Sequence, residues 1–364
     1  MENTTSVASI TTRTYVPYVT NVTTKIFISI SISVASVTTR TYVLYVPYAT
    51  TKIFISTSIK QGAQSVNRHY GSQSMIAPLR TVMVRRPDEA FAVDDPVMWH
   101  YTHRPDLELA RQEHDTLVGL LRQAGAEVIY HDEPHPDRAD AIFVFDPAVV
   151  TDNGAIILSM GKPQRRGEEA AMARRFEALG IPLLYTLHGK ARAEGGDLLW
   201  LAHDTLAVGL GFRTNTEGLR QLREALSGIG VSVIPVELPY YTGPEACLHL
   251  LSLISIVDHN TAVVYPRLLS VPFWQELKRR GFDLIEVPDT EFASMAPNVL
   301  ALAPGRCLML AGNPITKRRL EDAGCEVVTY TGNELSLKAE GGPTCLTRPI
   351  LRDDESISNG LNFI

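Results

Sequence analysis

LELARQEHDTLVGLLRQAGAEVIY, residues 107–130, sets the fold in miniature. Leu107, Ala110, Leu117, Leu120 and Leu121 recur at helical spacing and predict an amphipathic helix over roughly 106–124. Gly125 supplies the left-handed stop, and AEVIY reads as a strand. The same order of helix, glycine and strand returns four more times, as Gly180 before IPLLY, Gly230 before VSVIPV, Gly281 before FDLIEV and Gly324 before CEVVTY. Spacings of 55, 50, 51 and 43 residues between these glycines signal internal repetition. The expectation is an α/β protein of five similar modules around a pseudo-fivefold axis.

A polar or reactive residue follows each of these glycines by 14 to 21 positions: Asp146, Glu194, His249, Asn298 and Cys345. Alone, each has an ordinary explanation. A cysteine beside Leu346 is a small apolar residue, a histidine in an apolar run is a hydrogen-bonded core residue, and an aspartate before proline is a turn residue. Their shared register favours a common site, because equivalent positions of modules related by rotation converge.

The chain has 364 residues, 45% of them hydrophobic and 20% charged, enough for a sizeable core. Its net charge of −6 is uneven: residues 1–74 sum to +5 and the remainder to −11. An acidic body argues against a nucleic-acid partner, which needs clustered Lys and Arg. No run of 18 apolar residues occurs, so no membrane span is expected. The four cysteines lack CxxC spacing and fit a reducing, cytoplasmic setting.

Residues 6–32 recur almost unchanged as residues 33–59, and no acid occurs between residues 3 and 87. This duplicated, Thr- and Val-rich stretch builds no core and is read as a poorly ordered, low-complexity extension over 1–74. A five-module catalytic domain over 75–352 and a tail over 353–364 complete the expected organisation.

Cys345 stands behind Gly341, Gly342 and Pro343, where small residues allow a ligand close approach. A thiolate there is a nucleophile, and His249, the base in phase with the repeat, is suited to protonate a leaving amine and activate a water. Asp146 and Glu194, with Asp197 three residues after the latter, form a fork suited to a planar guanidinium. The inferred partner is therefore a small cationic guanidino substrate, with no metal and no organic cofactor required.

EGGD at 194–197, the HL of CLHLLSLISIVD, GFRTN at 211–215 and the terminal GGPTCLTRP together resemble the amidinotransferase, or guanidine-modifying, superfamily. Dimethylarginine dimethylaminohydrolases are the nearest likeness, over about residues 76–352. The resemblance implies a five-bladed β/α propeller, the pentein fold, with Cys345 as nucleophile, His249 as acid and base, and Glu194 orienting it. It further implies that Asp146 grips the guanidinium and Asp140 meets the α-amino end. Arg165 or Arg166, with Arg213, would bind the α-carboxylate. A homodimer is compatible with the resemblance.

Two departures bear on the substrate. Arginine deiminases carry an aspartate two residues after the histidine, where this chain has Leu251, which agrees better with a site accepting N-methyl groups. Some dimethylarginine hydrolases carry an acid where this chain has Phe145. The expected reaction is hydrolysis of dimethylarginine to citrulline and dimethylamine through a cysteine adduct. The alternatives are an arginine deiminase or dihydrolase, an amidinotransferase, and a non-catalytic five-bladed binding protein.

Other features read as structural. His131, Asp132 and His135 have no second ligand pair at a recognised metal spacing. Cys247 is a passive neighbour of His249, while Cys307 and Cys325 belong to the core. Gly209 and Gly211 are too few for a dinucleotide loop.

Overall fold

The computed structural model describes residues 68–246 and 248–353. The duplicated extension up to residue 67, Cys247 and residues 354–364 of the tail lie outside the described residues. Among the described residues, fifteen strands form five separate three-stranded sheets, an α/β architecture.

Each sheet follows one recipe. Ala148–Thr151 and Gly154–Ile157 form an antiparallel hairpin, the helix Glu168–Ala178 crosses over, and Leu183–Thr186 returns parallel to the second hairpin strand. The pattern repeats with the hairpin Leu198–Ala202 and Thr205–Leu210, helix Thr216–Ser227 and strand Ser232–Glu237. Next come Ile254–Asp258, Thr261–Val264, helix Val271–Arg279 and Asp283–Glu286. The fourth sheet uses Val299–Ala303, Arg306–Leu310, helix Pro314–Asp322 and Glu326–Tyr330.

The fifth sheet joins the two ends of the body. Arg348–Arg352 pairs antiparallel with Leu79–Val84, and after helix Leu107–Gln123 the strand Glu127–Tyr130 lies parallel to Leu79–Val84. The helix expected at 106–124 is thus present, capped by the Asp106 carboxylate accepting from the Leu109 N–H, with Ala110, Leu117 and Leu121 in the core. The five recurring glycines explain how each helix hands over to its strand. Gly125, Gly180, Gly230, Gly281 and Gly324 all adopt positive φ, between 70° and 94°, a region costly for any side chain.

The division placed at residue 75 falls inside the folded body. Residues 68–74 belong to the same compact unit as the described residues after them. The Gly71 N–H donates to Ile350 O at 2.8 Å and its carbonyl accepts from Arg352 N–H at 2.8 Å. Gln73 bridges His203 O and the Asp152 N–H. These residues are glycine and polar, so hydrophobic periodicity carries no trace of their pairing. Among the described residues, no helix is long and apolar enough to cross a membrane.

Candidate active site

Asp146, Glu194, His249, Asn298 and Cys345 all sit just before the outer strand that runs antiparallel to the middle strand of a sheet, one in each sheet. Asp146, His249 and Cys345 line one cavity, together with Asp140, Arg165 and Arg213. Cys345 is half-buried, whereas His249 is buried.

Glu194 is fully enclosed, and every part of its carboxylate is used. Oε1 accepts from the backbone N–H groups of Gly161 and Lys162, both at 2.9 Å. Oε2 meets His249 Nε2 at 2.7 Å and Arg213 Nη1 at 3.2 Å. Burial is the largest influence and opposes the charge, but the bond to His249 and the charges of Arg213 and His249 outweigh it and hold the carboxyl well below its usual range. His249 reaches this position by crossing Gly196, where an added Cβ would stand 2.4 Å from its Nδ1. The second glycine of EGGD is therefore a steric requirement of the pair.

Asp146 is held by the Gly196 N–H on Oδ1 at 2.9 Å and by Arg165 Nη1 on Oδ2 at 2.5 Å. Arg165 is shared: its Nε and Nη2 also bond the buried Glu168, and Nη2 reaches Phe143 O. Burial pushes Glu168 up to about 7 against the pull of Arg165. Asp140 accepts from Tyr101 Oη at 2.9 Å and from Lys162 Nζ at 2.5 Å.

The nucleophile candidate is positioned by asparagine. Asn298 Nδ2 donates to Cys345 Sγ at 3.2 Å, and Asn298 Oδ1 accepts from the Thr344 N–H at 3.1 Å. A Cβ on Gly342 would approach Asn298 Cγ to 2.5 Å, so the glycine lets the asparagine come this close. The Cys345 carbonyl accepts from Phe145 N–H at 3.2 Å, tying the segments of Cys345 and Asp146 together.

Three residues expected at the cavity are not in its lining, and the first is Glu194, fully enclosed and spent on His249, Arg213 and two backbone N–H groups instead of forming half of the fork. Asp197 is fully buried behind the cavity, accepting from Thr214 Oγ1 at 2.6 Å and Leu250 N–H at 3.0 Å, and burial raises its carboxyl to about 6. It braces the turn after His249 instead of forming the cavity floor. Arg166 is exposed and is not part of the lining; in GKPQRRGE it is Lys162, with Arg165, that turns inward. Lys162 and Glu340 were missed by the sequence reading, and both line the cavity. A charged residue at a turn carries no local sign of which way its side chain faces, although the position of Glu340 before the glycine pair was a usable hint.

For a metal, the described residues offer one close group: donor atoms of Asp146, Glu194 and His249 lie within 4.8 Å of one another. Arg165 and Arg213 already place cations on both carboxylates, which opposes a further positive ion. His131 and His135 are buried edge to face, 5.6 Å between ring centres, and burial lowers them to about 3 and about 4, so both are neutral near pH 7.

The family model described as N,N dimethylarginine dimethylhydrolase, eukaryotic, matches residues 90–352. The N(G),N(G)-dimethylarginine dimethylaminohydrolase of Streptomyces coelicolor is 32% identical over 74% of this chain and 96% of its own length. An arginine deiminase of Mycobacterium avium is 30% identical, but over only 50% of this chain and 55% of that protein. Among solved structures, a cysteine-to-serine variant of the Pseudomonas aeruginosa dimethylarginine dimethylaminohydrolase, complexed with citrulline, superposes with a TM-score of 0.63 at 25% identity, covering 74% of this chain and 99% of that one. The repeated sheets, the ordered set of site residues and these matches agree: the chain belongs to the dimethylarginine dimethylaminohydrolase family of the guanidine-modifying pentein superfamily.

Proposed function

We propose that the chain hydrolyses dimethylarginine to citrulline and dimethylamine, on a body whose five sheets are the blades of a pseudo-fivefold β/α propeller. The catalytic domain runs from residue 68 through 352, preceded by the repetitive extension and followed by the tail. The observation that carries the reading is the Glu194–His249 pair, 2.7 Å apart, whose histidine lines the cavity that Cys345 also lines.

In this mechanism the Cys345 thiolate attacks the guanidinium carbon, forming a carbon–sulfur bond. His249, held by Glu194, gives a proton to the departing dimethylamine as the carbon–nitrogen bond breaks. A water then loses a proton to His249 and attacks the same carbon; the carbon–sulfur bond breaks and citrulline leaves. Each carboxylate oxygen has two lone pairs, so Asp146 still has acceptor capacity for guanidinium N–H groups beyond its bonds to Arg165 and Gly196. Binding a cation next to Cys345 lowers the thiol pKa when the substrate is present. Asp140, beside Lys162, would receive the α-amino group, and Lys162 with Arg213 the α-carboxylate.

Arginine deimination is the second reading, favoured by the partial match to arginine deiminases. Leu251 opposes it: the position is apolar and buried, so no second acid flanks the histidine there. The test is citrulline and ornithine release from dimethylarginine, monomethylarginine, arginine and small guanidines. The expected result is the highest kcat/KM for dimethylarginine, with citrulline as product. A preference for unmethylated arginine would overturn the assignment in favour of a deiminase, and ornithine release in favour of a dihydrolase.

A further inference from the structure

Phe145 and Thr344 line a second, small cavity, while their neighbours Asp146 and Cys345 line the first. The two cavities therefore share these two chain segments as a wall. Arg348 and Arg352 line the second cavity and are only 3% and 5% exposed. They stand four residues apart on one strand, on the same face.

Neither guanidinium has a carboxylate partner among the described residues. Arg348 stacks on the Phe145 ring, 3.7 Å from its centre, and its Nη2 donates to Phe145 O. Arg352 donates from Nη1 to Ala77 O at 2.6 Å and from Nη2 to Ala301 O at 2.9 Å. The Nε–H of each has no acceptor. Burial pushes both guanidinium groups down to about 9, an effect that Asp146 partly offsets at Arg348 only. Ser74, also in the lining, accepts on Oγ from the N–H groups of Ile76 and Ala77, so its hydroxyl proton is left to donate. Three donors without acceptors and two buried positive charges thus belong to the walls of one cavity.

We propose that this cavity binds one small monovalent anion of the halide class, held by Arg348, Arg352 and Ser74. Buried charge without a counter-charge is costly, and water would satisfy the donors while leaving both charges uncompensated. Much of the remaining lining is apolar, including Leu198, Trp200 and Leu300. That setting suits a weakly hydrated ion needing few donors and disfavours phosphate, which needs many. Because Arg348 bonds Phe145 O and Phe145 N–H bonds Cys345 O, the ion would brace the wall that both reactive segments share.

The test is thermal unfolding of the full chain at fixed ionic strength, with chloride replacing gluconate, an anion too large for the cavity. The expected result is a midpoint that rises with chloride and saturates, following mass action. Ser74→Ala and Arg352→Lys should need several-fold more chloride for half the effect. Crystals grown in bromide should show an anomalous peak between Arg348 and Arg352. Equal midpoints in the two salts would overturn the proposal. So would variants that titrate like the parent, or water alone in the cavity at saturating bromide. Should Arg352→Lys fail to fold, the bromide crystals and Ser74→Ala decide the matter.

Discussion

Glu194 fixes His249 through a 2.7 Å contact between Oε2 and Nε2, and the same oxygen takes Arg213 Nη1 at 3.2 Å. One buried anion therefore serves both an imidazole and a guanidinium. Glu194→Gln keeps the shape but removes the charge that compensates Arg213. The expected cost is about 3 kcal/mol of unfolding stability, read from denaturant melts. Turnover should fall by about 100-fold or more. Near-parental values on both measures would mean that the pair is incidental.

Cys345→Ser should abolish turnover, because a hydroxyl is far harder to ionise than a thiol and the guanidinium carbon is resonance-stabilised. His249→Gly should instead form the covalent adduct slowly, for want of its proton donor, and then accumulate it, since hydrolysis lacks a base. Intact-protein mass spectrometry of the quenched reaction should show the added mass, and digestion should place it on the Cys345 peptide. Mass on the Cys247 peptide would overturn the assignment.

Asn298→Ala removes the donor to Cys345 Sγ and leaves the buried Thr344 N–H without its acceptor. A donor aimed at sulfur favours the thiolate, so the acidic limb of the kcat/KM profile should move to higher pH. The unsatisfied N–H should cost about 1–3 kcal/mol in stability. An unshifted profile with reduced stability would assign Asn298 to structure alone.

Asp197 supplies a pH signature. Its folded value, raised to about 6 by burial, lies above the ordinary aspartate value. The folded state then holds a proton that the unfolded chain releases, so its contribution to stability falls as pH rises from about 4 to about 6. Asp197→Asn should remove this slope, so that the stability gap between parent and variant changes across that window by on the order of 2–3 kcal/mol. The check is the denaturant midpoint of each protein measured from pH 4 to pH 7. Parallel curves would show that Asp197 stays ionised in the folded state.

A chain beginning at Gln64 and one beginning at Met75 separate the role of residues 68–74. The shorter chain loses both backbone bonds of Gly71 and both side-chain bonds of Gln73, each worth about 0.5–1.5 kcal/mol. Its melting midpoint should drop by several degrees relative to the longer chain. Equal midpoints would show that these bonds add nothing in solution.

The sequence by itself determined the modular plan, because its signals are local. Helical spacing, a positive-φ glycine and a short β-rich run lie within about twenty residues of one another, and all five such glycines adopt the left-handed region. The register of Asp146, Glu194, His249, Asn298 and Cys345 was legible for the same reason: each holds one place in a repeated unit. Only the tertiary structure decided the rest. It paired Asp146 with Arg165 and Asp140 with Lys162, turned Asp197 away from the cavity and left Arg166 outside. It also laid Gly71 against Ile350 and put Arg348 and Arg352 in a common cavity with Ser74. Such contacts join residues about twenty to nearly three hundred positions apart. Whether a charged side chain is buried against a partner depends on what the rest of the fold brings to it, and no local period encodes that.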